Sequence, residues 1–315
     1  MEAKYTVGLP PDRERPEIVV VGSATRDLTD DDPRGWRLGG GVSYSALTTA
    51  RIGLRTTAIV GVDSTAADAW ELDLLRRAGA DVHLVPLEHG PVFVNVERPE
   101  GRLQLSEDRS DAIPTSALPE ASRGAAGWLL VPVAGELPAE WADVPGPDAL
   151  VGVGWQGLLR VLVPGEPVQR RQPGPDPIVA RADLVGVSRD DVSRAVPLAE
   201  LLDLLRPGAS LLITQGDRGG IIANRRDDGL ALRRYPAVPN RHPVDPTGAG
   251  DVFLAALTAV RVEPRLVGGR LDARFDLLLA AAAASLVIEG PGLLGVPDRA
   301  AIRGRIAEFR QAAPA

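Results

Sequence analysis

The stretch Asp245-Pro246-Thr247-Gly248-Ala249-Gly250-Asp251, followed by the apolar run 252–260, decides how the rest of the sequence is interpreted. Two glycines flank an alanine, so the backbone can turn tightly and come close to a ligand. The residues after Asp251 form helices well and include no glycine or proline, so the turn leads into a helix N-terminus. Free N–H groups and the helix dipole favour an anion there. Asp251 is then either a general base beside the anion or an acid that complements the dipole.

The composition indicates a globular protein and excludes several kinds of site. The 315 residues suit one large α/β domain or two small ones, and 44% hydrophobic residues are enough for a core. A net charge of −7 without a long basic cluster argues against nucleic acid as the main partner. There is no cysteine for a disulfide or thiolate, and the three histidines (His83, His89 and His242) argue against a histidine metal site. No segment resembles a signal peptide or membrane span, so we expect a cytoplasmic protein without a membrane partner.

Alternating strands and helices predict one domain. Residues 1–16 contain three prolines and are interpreted as an N-terminal extension, followed by a single domain over 17–312. Apolar, β-branched runs alternate with helical segments, which predicts a mostly parallel sheet covered on both faces. The first such elements are a strand at 17–21, a helix at 42–52, a strand at 57–60, a helix at 65–78 and a strand at 81–85. Further strands follow from 128 onward, with a helix near 190–205 and final helices near 248–261, 275–288 and 298–310.

A break in this alternation predicts a small β lid. Two short strands, at 92–97 and 102–106, flank Pro99-Glu100-Gly101, which is a hairpin pattern without an intervening helix. Only 11 residues separate Asp27 from Gly39, so we expect a reduced lid that is made largely by residues 91–106. The polar side chains of that hairpin are Asn95, Glu97 and Gln104. They are candidates for substrate contacts, although polar residues on an exposed hairpin need no function.

One glycine motif is set aside. Gly152-Val153-Gly154-Trp155-Gln156-Gly157 matches the dinucleotide pattern Gly-x-Gly-x-x-Gly and follows a strand. The helical segment after it is too short before Pro164, and Asp176 lies in a proline- and glycine-rich loop. We therefore predict that it is not a dinucleotide site. A Walker-type phosphate loop is absent from the sequence.

The stretch Asp245–Asp251 resembles the carboxy-terminal signature of the ribokinase-like (phosphofructokinase-B type) carbohydrate kinases, Asp-Thr-x-Gly-Ala-Gly-Asp, with Pro246 in place of the first threonine. Further segments resemble motifs of the same family, in the family's order along residues 17–310. They are Asp27 after the first strand, the pair Gly39-Gly40 before a helix, Ser188-Arg189-Asp190-Asp191 in place of Asn-x-x-Glu, and Thr214-Gln215-Gly216-Asp217-Arg218-Gly219 for Thr-x-Gly-x-x-Gly. This order is stronger evidence than any single motif.

The resemblance implies a ribokinase-like three-layer α/β/α sandwich with a mostly parallel sheet and a reduced β lid. It also implies a kinase that transfers a phosphoryl group from ATP to an alcohol. Asp251 would be the base, and the amides of Gly248, Ala249 and Gly250 would form an anion hole. Nucleotide contacts would come from Ser188, Thr214, Gly216, Gly219 and Thr247. Asp191 would hold Mg²⁺ through water, and Asp245 would support a monovalent cation such as K⁺, as in many relatives.

The acceptor site implied by the resemblance consists of Asp27, Gly39, Gly40, Tyr44 and Asn95. A carboxylate such as Asp27 accepts hydrogen bonds from two adjacent hydroxyls. Tyr44 stands where the family usually has asparagine, and its ring could stack on the apolar face of a sugar or cyclic polyol. Together with a short lid, this favours an inositol-like acceptor over ribose or a nucleoside and is similar to plant-type myo-inositol kinases.

Alternatives remain at several positions. Ser188 and the acids after it also fit a helix N-terminus without a ligand. The chain could instead be a nucleoside kinase, or a non-catalytic sugar- or nucleotide-binding regulator, since Ser188, Tyr44 and Pro246 depart from the family pattern. Asp251 and the intact Gly-Ala-Gly argue against the regulator. The protein is expected to be a monomer or a homodimer, without exchange of lid strands between chains.

Overall fold

A nine-stranded sheet forms the centre of the chain in the computed structural model, which describes residues 17–98, 101–193, 195–226, 229–267 and 273–312. The N-terminal extension predicted at 1–16 lies outside the described residues. The strands of the first half are β1 (Glu17–Ser23), β2 (Thr25–Leu28), β3 (Trp36–Gly39), β4 (Arg55–Val62), β5 (Ala80–Pro86), β6 (Val92–Arg98), β7 (Gly101–Asp108) and β8 (Gly127–Leu130). Those of the second half are β9 (Leu150–Gly154), β10 (Arg160–Val161), β11 (Glu166–Pro167), β12 (Gln169–Arg170), β13 (Leu184–Ser188), β14 (Ser210–Thr214), β15 (Gly220–Arg226) and β16 (Gly229–Tyr235).

The strand order in the central sheet is β16-β15-β14-β13-β9-β8-β1-β4-β5. All neighbours from β14 to β5 are parallel, and β15 and β16 add an antiparallel hairpin at one edge. In β1, residues 18–21 are fully buried on both faces. This explains why the strand is a continuous β-branched run rather than an alternating one.

Helices cover both faces of this sheet. They are α1 (Gly41–Ile52), α2 (Glu71–Arg77), α3 (Pro177–Arg181), α4 (Leu198–Asp203), α5 (Ala249–Val262), α6 (Ala273–Val287) and α7 (Arg299–Ala312). Helices α1, α2, α5, α6 and α7 share one hydrophobic cluster with the sheet, and α3 and α4 share a second cluster on the opposite face. Residues 252–260 of α5 are all buried, as their apolar composition predicts. The three-layer α/β/α sandwich with a mostly parallel sheet is thus confirmed.

A second sheet, with the order β11-β7-β6-β2-β3, lies beyond the ends of the first. The predicted hairpin is present as β6 and β7. This hairpin does not form the lid sheet alone, since β2 and β3 pair with each other across residues 27–39 and add two strands to it. Eleven residues are enough because a tight turn closes the hairpin: Thr29 N–H donates to Gly35 O at 3.0 Å, and Gly35 N–H donates to Asp32 O at 2.8 Å. The helix predicted at 190–205 is shorter in the structure. It begins only after Pro197, a residue that suits a helix start.

One arginine attaches the β2–β3 hairpin to the rest of the domain. The guanidinium of Arg34 donates to both Asp32 and the buried Glu71, with 3.0 Å from Nε to Asp32 Oδ1 and 2.9 Å from Nη1 to Glu71 Oε2. It lies 4.4 Å above the Trp36 ring and 5.8 Å from that of Trp70. These contacts connect the hairpin with the start of α2, so this part of the lid has a fixed base.

Candidate active site

A cavity of about 660 Å³ opens between the second sheet and the carboxyl ends of the central strands. Residues at or near the ends of β9, β13 and β14 line it, together with the N-terminal turns of α1 and α5. In open α/β sheets this edge is where ligands bind, because loops and helix N-termini converge there. The predicted site residues that line it are Asp27, Gly40, Tyr44, Asn95, Ser188, Asp191, Thr214, Gly216, Gly219, Thr247, Gly248, Ala249, Gly250 and Asp251. Gly39 and Asp245 are not among the lining residues.

The turn before α5 has the geometry expected from its glycines. Gly248 is the N-cap with φ 78°, in the left-handed region, and α5 begins at Ala249. A Cβ on Gly248 would collide with the ring of Tyr44. Tyr44 is only 2% exposed. Its ring therefore packs against the turn before α5 while still bordering the cavity. Stacking of this ring on an acceptor stays a prediction.

Asp251 lies in the first turn of α5 and faces the N-terminus of α1. A Cβ on Gly41 would be 2.9 Å from Asp251 Oδ1. Burial raises the pKa of Asp251 to about 6; the charge of Arg160 opposes this rise and that of Asp191 adds to it. A carboxylate with such a pKa is ionised at neutral pH yet basic enough to accept a proton, which is what a general base requires.

Asp27 extends from β2 toward the cavity. Thr25 Oγ1 donates to its Oδ1 at 3.0 Å, which fixes one carboxylate oxygen. Gly39 stands opposite Thr25 on β3, and a Cβ there would collide with the Asp27 carboxylate. Gly39 thus makes room for Asp27 and is not among the residues that line the cavity. Its role in substrate binding stays a prediction. Gly40 does border the cavity, at φ 90°.

The lid contributes a pair of amides. Asn95 on β6 stands opposite Gln104 on β7, and Gln104 Nε2 donates to Asn95 Oδ1 at 3.0 Å. Both side chains border the cavity, as does the buried ring of Phe93. The side chain of Glu97 lies outside the described part of the chain. Polar amides beside an apolar ring are the surface that a sugar or polyol requires.

The predicted nucleotide-binding residues lie together on the opposite side. Ser188 ends β13 and its Oγ accepts from Asp190 N–H at 3.2 Å, while Thr214 ends β14. Gly216 and Gly219 have φ values of 58° and 78° in the turn that follows. At Gly219 a Cβ would collide with the backbone at Tyr235. The glycines therefore fix a tight turn at the cavity wall.

Asp191 borders the cavity shortly after the end of β13. Gln156 Nε2 donates to its two oxygens at 3.2 and 3.0 Å. Burial raises the pKa of Asp191, whereas the charge of Arg160 and the Gln156 hydrogen bond lower it. In the described part of the chain, no group of three or more histidines, cysteines or carboxylates is arranged to hold a metal ion. A single carboxylate such as Asp191 nevertheless fits Mg²⁺, which is commonly held by one or two carboxylates together with substrate phosphates and waters.

Asp245 has a structural function. Its Oδ1 accepts from Thr247 N–H at 2.9 Å and its Oδ2 from Gly292 N–H at 3.1 Å. These bonds connect the turn before α5 to the segment after α6. The monovalent cation near Asp245 stays a prediction.

A mostly apolar cleft extends the cavity beyond the turn before α5. It lies between α6 and the segment that follows β16, and small residues on α6 leave it open. The residues on its walls are Val238, Asn240, Pro243, Ala281, Ala284, Ser285 and Ile288. Arg305 supports it from behind, because its Nη1 donates to Ser285 Oγ at 3.0 Å and to Pro239 O at 3.1 Å.

Gln156 and Arg160 are among the cavity residues that were not predicted from the sequence. Both follow β9, in and just after the glycine motif that was set aside as a dinucleotide site. A signal was present, because a glycine turn at the end of a parallel strand lies at the ligand-binding edge even when it binds no dinucleotide.

Comparison with known proteins agrees with this geometry. Residues 178–298 match the model of the pfkB family of carbohydrate kinases. A pyrophosphate-dependent kinase of the ribokinase family, solved with a pyrophosphate analogue and myo-inositol, superposes with a TM-score of 0.70 at 19% identity, covering 91% of this chain and 99% of that one. The chain has the ribokinase fold. The resemblance noted from the sequence is thereby confirmed.

Other proteins with the ribokinase fold superpose over similar lengths. The Arabidopsis thaliana ribokinase, solved with ribose and ATP, has a TM-score of 0.64 at 18% identity and covers 93% of this chain and 99% of its own. A nucleoside kinase from Methanocaldococcus jannaschii has a TM-score of 0.65 at 16% identity and covers 93% and 98%. No curated protein matches the chain significantly. Among the helices of the described ranges, none has the length and apolar character needed to cross a membrane.

Proposed function

We propose that this protein is an ATP-dependent kinase that phosphorylates a hydroxyl group of a sugar or cyclic polyol. The observation that carries the proposal is the position of Asp251. It lies beside the turn formed by residues 248–250, which we call the anion-binding turn. The cavity there has Asp27 and Asn95 on one side and Ser188 and Thr214 on the other. An acceptor hydroxyl and a donor phosphate can thus approach the same carboxylate.

The chemistry follows from this arrangement. The acceptor hydroxyl oxygen attacks the γ-phosphorus, and the bond from that phosphorus to the β,γ-bridging oxygen breaks, so that ADP leaves. Asp251 accepts the hydroxyl proton. The N–H groups of Gly248, Ala249 and Gly250 stabilise charge on the transferred group without reorganisation, because the turn is already formed. Mg²⁺, held by the phosphates and through water by Asp191, would neutralise part of the donor's charge. Asp251→Asn should lower kcat by about 10²–10⁴-fold and leave ATP binding nearly intact.

The apolar cleft supports a nucleotide as the donor. A pyrophosphate donor, as used by the myo-inositol-binding structural neighbour, has no base to occupy the space beside Ala281 and Ala284. Replacing Ala284 by Phe should therefore raise the KM for ATP by about tenfold or more, because a bulky side chain in a packed site excludes a ligand sterically. Turnover with pyrophosphate alone, insensitive to Ala284→Phe, would contradict the nucleotide donor.

The acceptor side supports a compound with adjacent hydroxyls. Asp27, held by Thr25, can accept from two of them, and the Asn95–Gln104 pair offers further polar contacts. We place inositol-like acceptors ahead of ribose and nucleosides because of the resemblance to plant-type myo-inositol kinases. Asp27→Ala should weaken acceptor binding by about 1.5–3 kcal/mol, the usual value for hydrogen bonds to a charged group.

The deciding experiment is an ADP-release assay with Mg-ATP that compares kcat/KM for myo-inositol, ribose, fructose and adenosine, with Asp251→Asn as the inactive control. A preference of about tenfold (roughly 1.4 kcal/mol) for adenosine would favour the nucleoside kinase. The same preference for ribose would overturn the inositol order. Nucleotide binding without turnover of any acceptor would favour a non-catalytic regulator.

A further inference from the structure

Arg160 is the single positively charged side chain among the described residues that line the cavity. Five aspartates line the same cavity: Asp27, Asp190, Asp191, Asp217 and Asp251. The only lysine of the sequence is Lys4, which lies outside the described residues. A phosphoryl group that enters this cavity meets mostly negative charge, so a cation beside its path has a large effect.

The backbone of Arg160 is held in place. It begins β10, and there it pairs with Arg170 of β12. The N–H of Arg171 donates to Leu159 O at 2.7 Å, directly before Arg160. The side chain therefore starts from a fixed point on the wall formed by the segment after β9.

The guanidinium faces the lid. Its central carbon lies 5.9 Å from the centroid of the Phe93 ring, a cation–π contact. Phe93 pairs with Asp27 across β6 and β2, so the guanidinium lies on the side of the cavity where the acceptor is expected.

The guanidinium also acts on the two aspartates at the centre of the reaction. Its charge lowers the pKa of Asp251 and that of Asp191, against the effect of burial on each. Arg160 thus lies within electrostatic reach of the base, of the carboxylate assigned to magnesium and of the lid at once.

We propose that Arg160 binds the phosphoryl group during its transfer and holds the same group in the phosphorylated product. This inference rests on the proposed kinase function. The planar guanidinium can donate two parallel hydrogen bonds to phosphoryl oxygens, and it stays charged at all relevant pH values. While the phosphorus moves from the bridging oxygen of ATP to the acceptor oxygen, its charge is spread over three equatorial oxygens. The N–H groups at Gly248–Gly250 approach from the α5 side and Arg160 from the lid side. Phe93 acts as a positioning residue for the guanidinium.

The test uses the full chain with Mg·ADP and orthovanadate, which imitates a phosphoryl group in transfer. The variants are Arg160→Gln, Arg160→Lys and the matched control Arg171→Gln, an exposed arginine directly after the paired strand that does not border the cavity. Calorimetric titration measures Mg·ADP alone and orthovanadate in the presence of Mg·ADP. Thermal unfolding confirms that each variant is folded.

In wild type and Arg171→Gln, orthovanadate should bind to the Mg·ADP complex. In Arg160→Gln its affinity should fall by about tenfold or more, and kcat by about 10²–10³-fold, as for other lost donors to a transition state. The orthovanadate affinity and kcat of Arg160→Lys should lie between those of wild type and Arg160→Gln, because a lysine keeps the charge but lacks the paired donors of a guanidinium. Mg·ADP alone should bind equally to all four proteins.

Other outcomes overturn the inference in different ways. Unchanged orthovanadate affinity in Arg160→Gln refutes it directly. Loss of Mg·ADP affinity in that variant would move Arg160 to the nucleotide site. A raised acceptor KM with unchanged kcat would mean that Arg160 holds an anionic group of the acceptor. Failure of the wild type to bind Mg·ADP at all would instead refute the proposed nucleotide-dependent function.

Discussion

The carboxylate of Asp251 lies directly against Gly41, so that a Cβ at residue 41 would stand 2.9 Å from Oδ1. Two helices therefore begin on either side of one carboxylate: α1 at Gly41 and α5 at Ala249. Both N-termini favour negative charge, which partly offsets the burial of Asp251. Residue 41 has no space for a side chain as long as Asp251 occupies this position.

Gly41→Ala tests this contact. The methyl group must displace the Asp251 carboxylate, and a shift of about 1 Å at a reacting group can cost on the order of 10² in rate. We expect kcat to fall by that order with little change in ATP affinity. Gly304→Ala is the control, because Gly304 also lies in a helix and a Cβ there meets no atom within 4 Å. A Gly41→Ala enzyme with wild-type kcat would contradict the assigned position of Asp251.

The pH dependence of kcat should report the ionisation of Asp251. Because burial raises its pKa to about 6, the fraction that can accept a proton falls as the pH drops through that value. We expect kcat to fall below pH about 6 with a slope of one on a logarithmic plot. In Arg160→Gln this acid limb should move to higher pH, since the charge that lowers the pKa is gone. A limb near pH 4 in the wild type would exclude Asp251 as the titrating base.

Asp251→Asn should stabilise the protein at alkaline pH. The folded-state pKa of Asp251 lies above its unfolded value, so the folded state binds the proton more tightly. Ionising the buried carboxylate then costs stability once the pH exceeds both pKa values, by roughly 1–3 kcal/mol. Thermal unfolding should give a higher Tm for Asp251→Asn at pH 8, and a difference that shrinks toward pH 4. An equal Tm difference at pH 8 and at pH 4 would show that burial does not raise the pKa of Asp251.

Tyr44 should contribute to stability through its ring. Its ring is buried against Gly248, so Tyr44→Ala leaves a cavity under the anion-binding turn and should cost about 3–5 kcal/mol of unfolding free energy. Tyr44→Phe retains the ring and should keep the acceptor KM within about twofold, less than 0.5 kcal/mol. Denaturant unfolding and acceptor kinetics measure the two effects. A tenfold rise in acceptor KM for Tyr44→Phe would indicate a direct substrate role of the hydroxyl.

Gln156 should control the magnesium requirement through Asp191. Its Nε2 donates to both oxygens of Asp191, which orients them and lowers the pKa of that carboxyl. Gln156→Met keeps the volume but removes the donor, so the Mg²⁺ concentration for half-maximal rate should rise about 10-fold or more, as for other groups that orient a metal ligand. Gln169→Met, at an exposed position outside the cavity, is the control. An unchanged Mg²⁺ dependence in Gln156→Met would contradict the assignment of Asp191 as the carboxylate that holds magnesium.

Much of the fold and part of the site follow from local sequence. Glycine turns, strand ends and helix starts are encoded within a few neighbouring residues. The turn at Gly248 and the start of α5 could therefore be predicted from the local sequence alone. The α/β alternation indicated the parallel sheet in the same way, because a buried strand and an amphipathic helix each have a short, recognisable period.

The missed features depend on contacts between distant segments. Arg160 gains its position from the ring of Phe93 in the other sheet, and no local pattern indicates that contact. The direction of the Tyr44 ring depends on how α1 meets the turn before α5, which a sequence period does not specify. The strands β2 and β3 have four residues each, too few for an alternation to be recognised.

Only Ala24 separates β1 from β2, so the chain passes from one sheet to the other almost without interruption. Ala24 N–H still donates to Gly61 O at 2.9 Å, whereas Arg26 N–H donates to Pro91 O at 3.0 Å. At this point the chain crosses from the central sheet to the smaller sheet within a single residue. If the proposed function holds, substitutions in the smaller sheet can change the acceptor pocket while the central sheet keeps its geometry. A protein built this way can acquire new acceptors in evolution by changing one sheet alone.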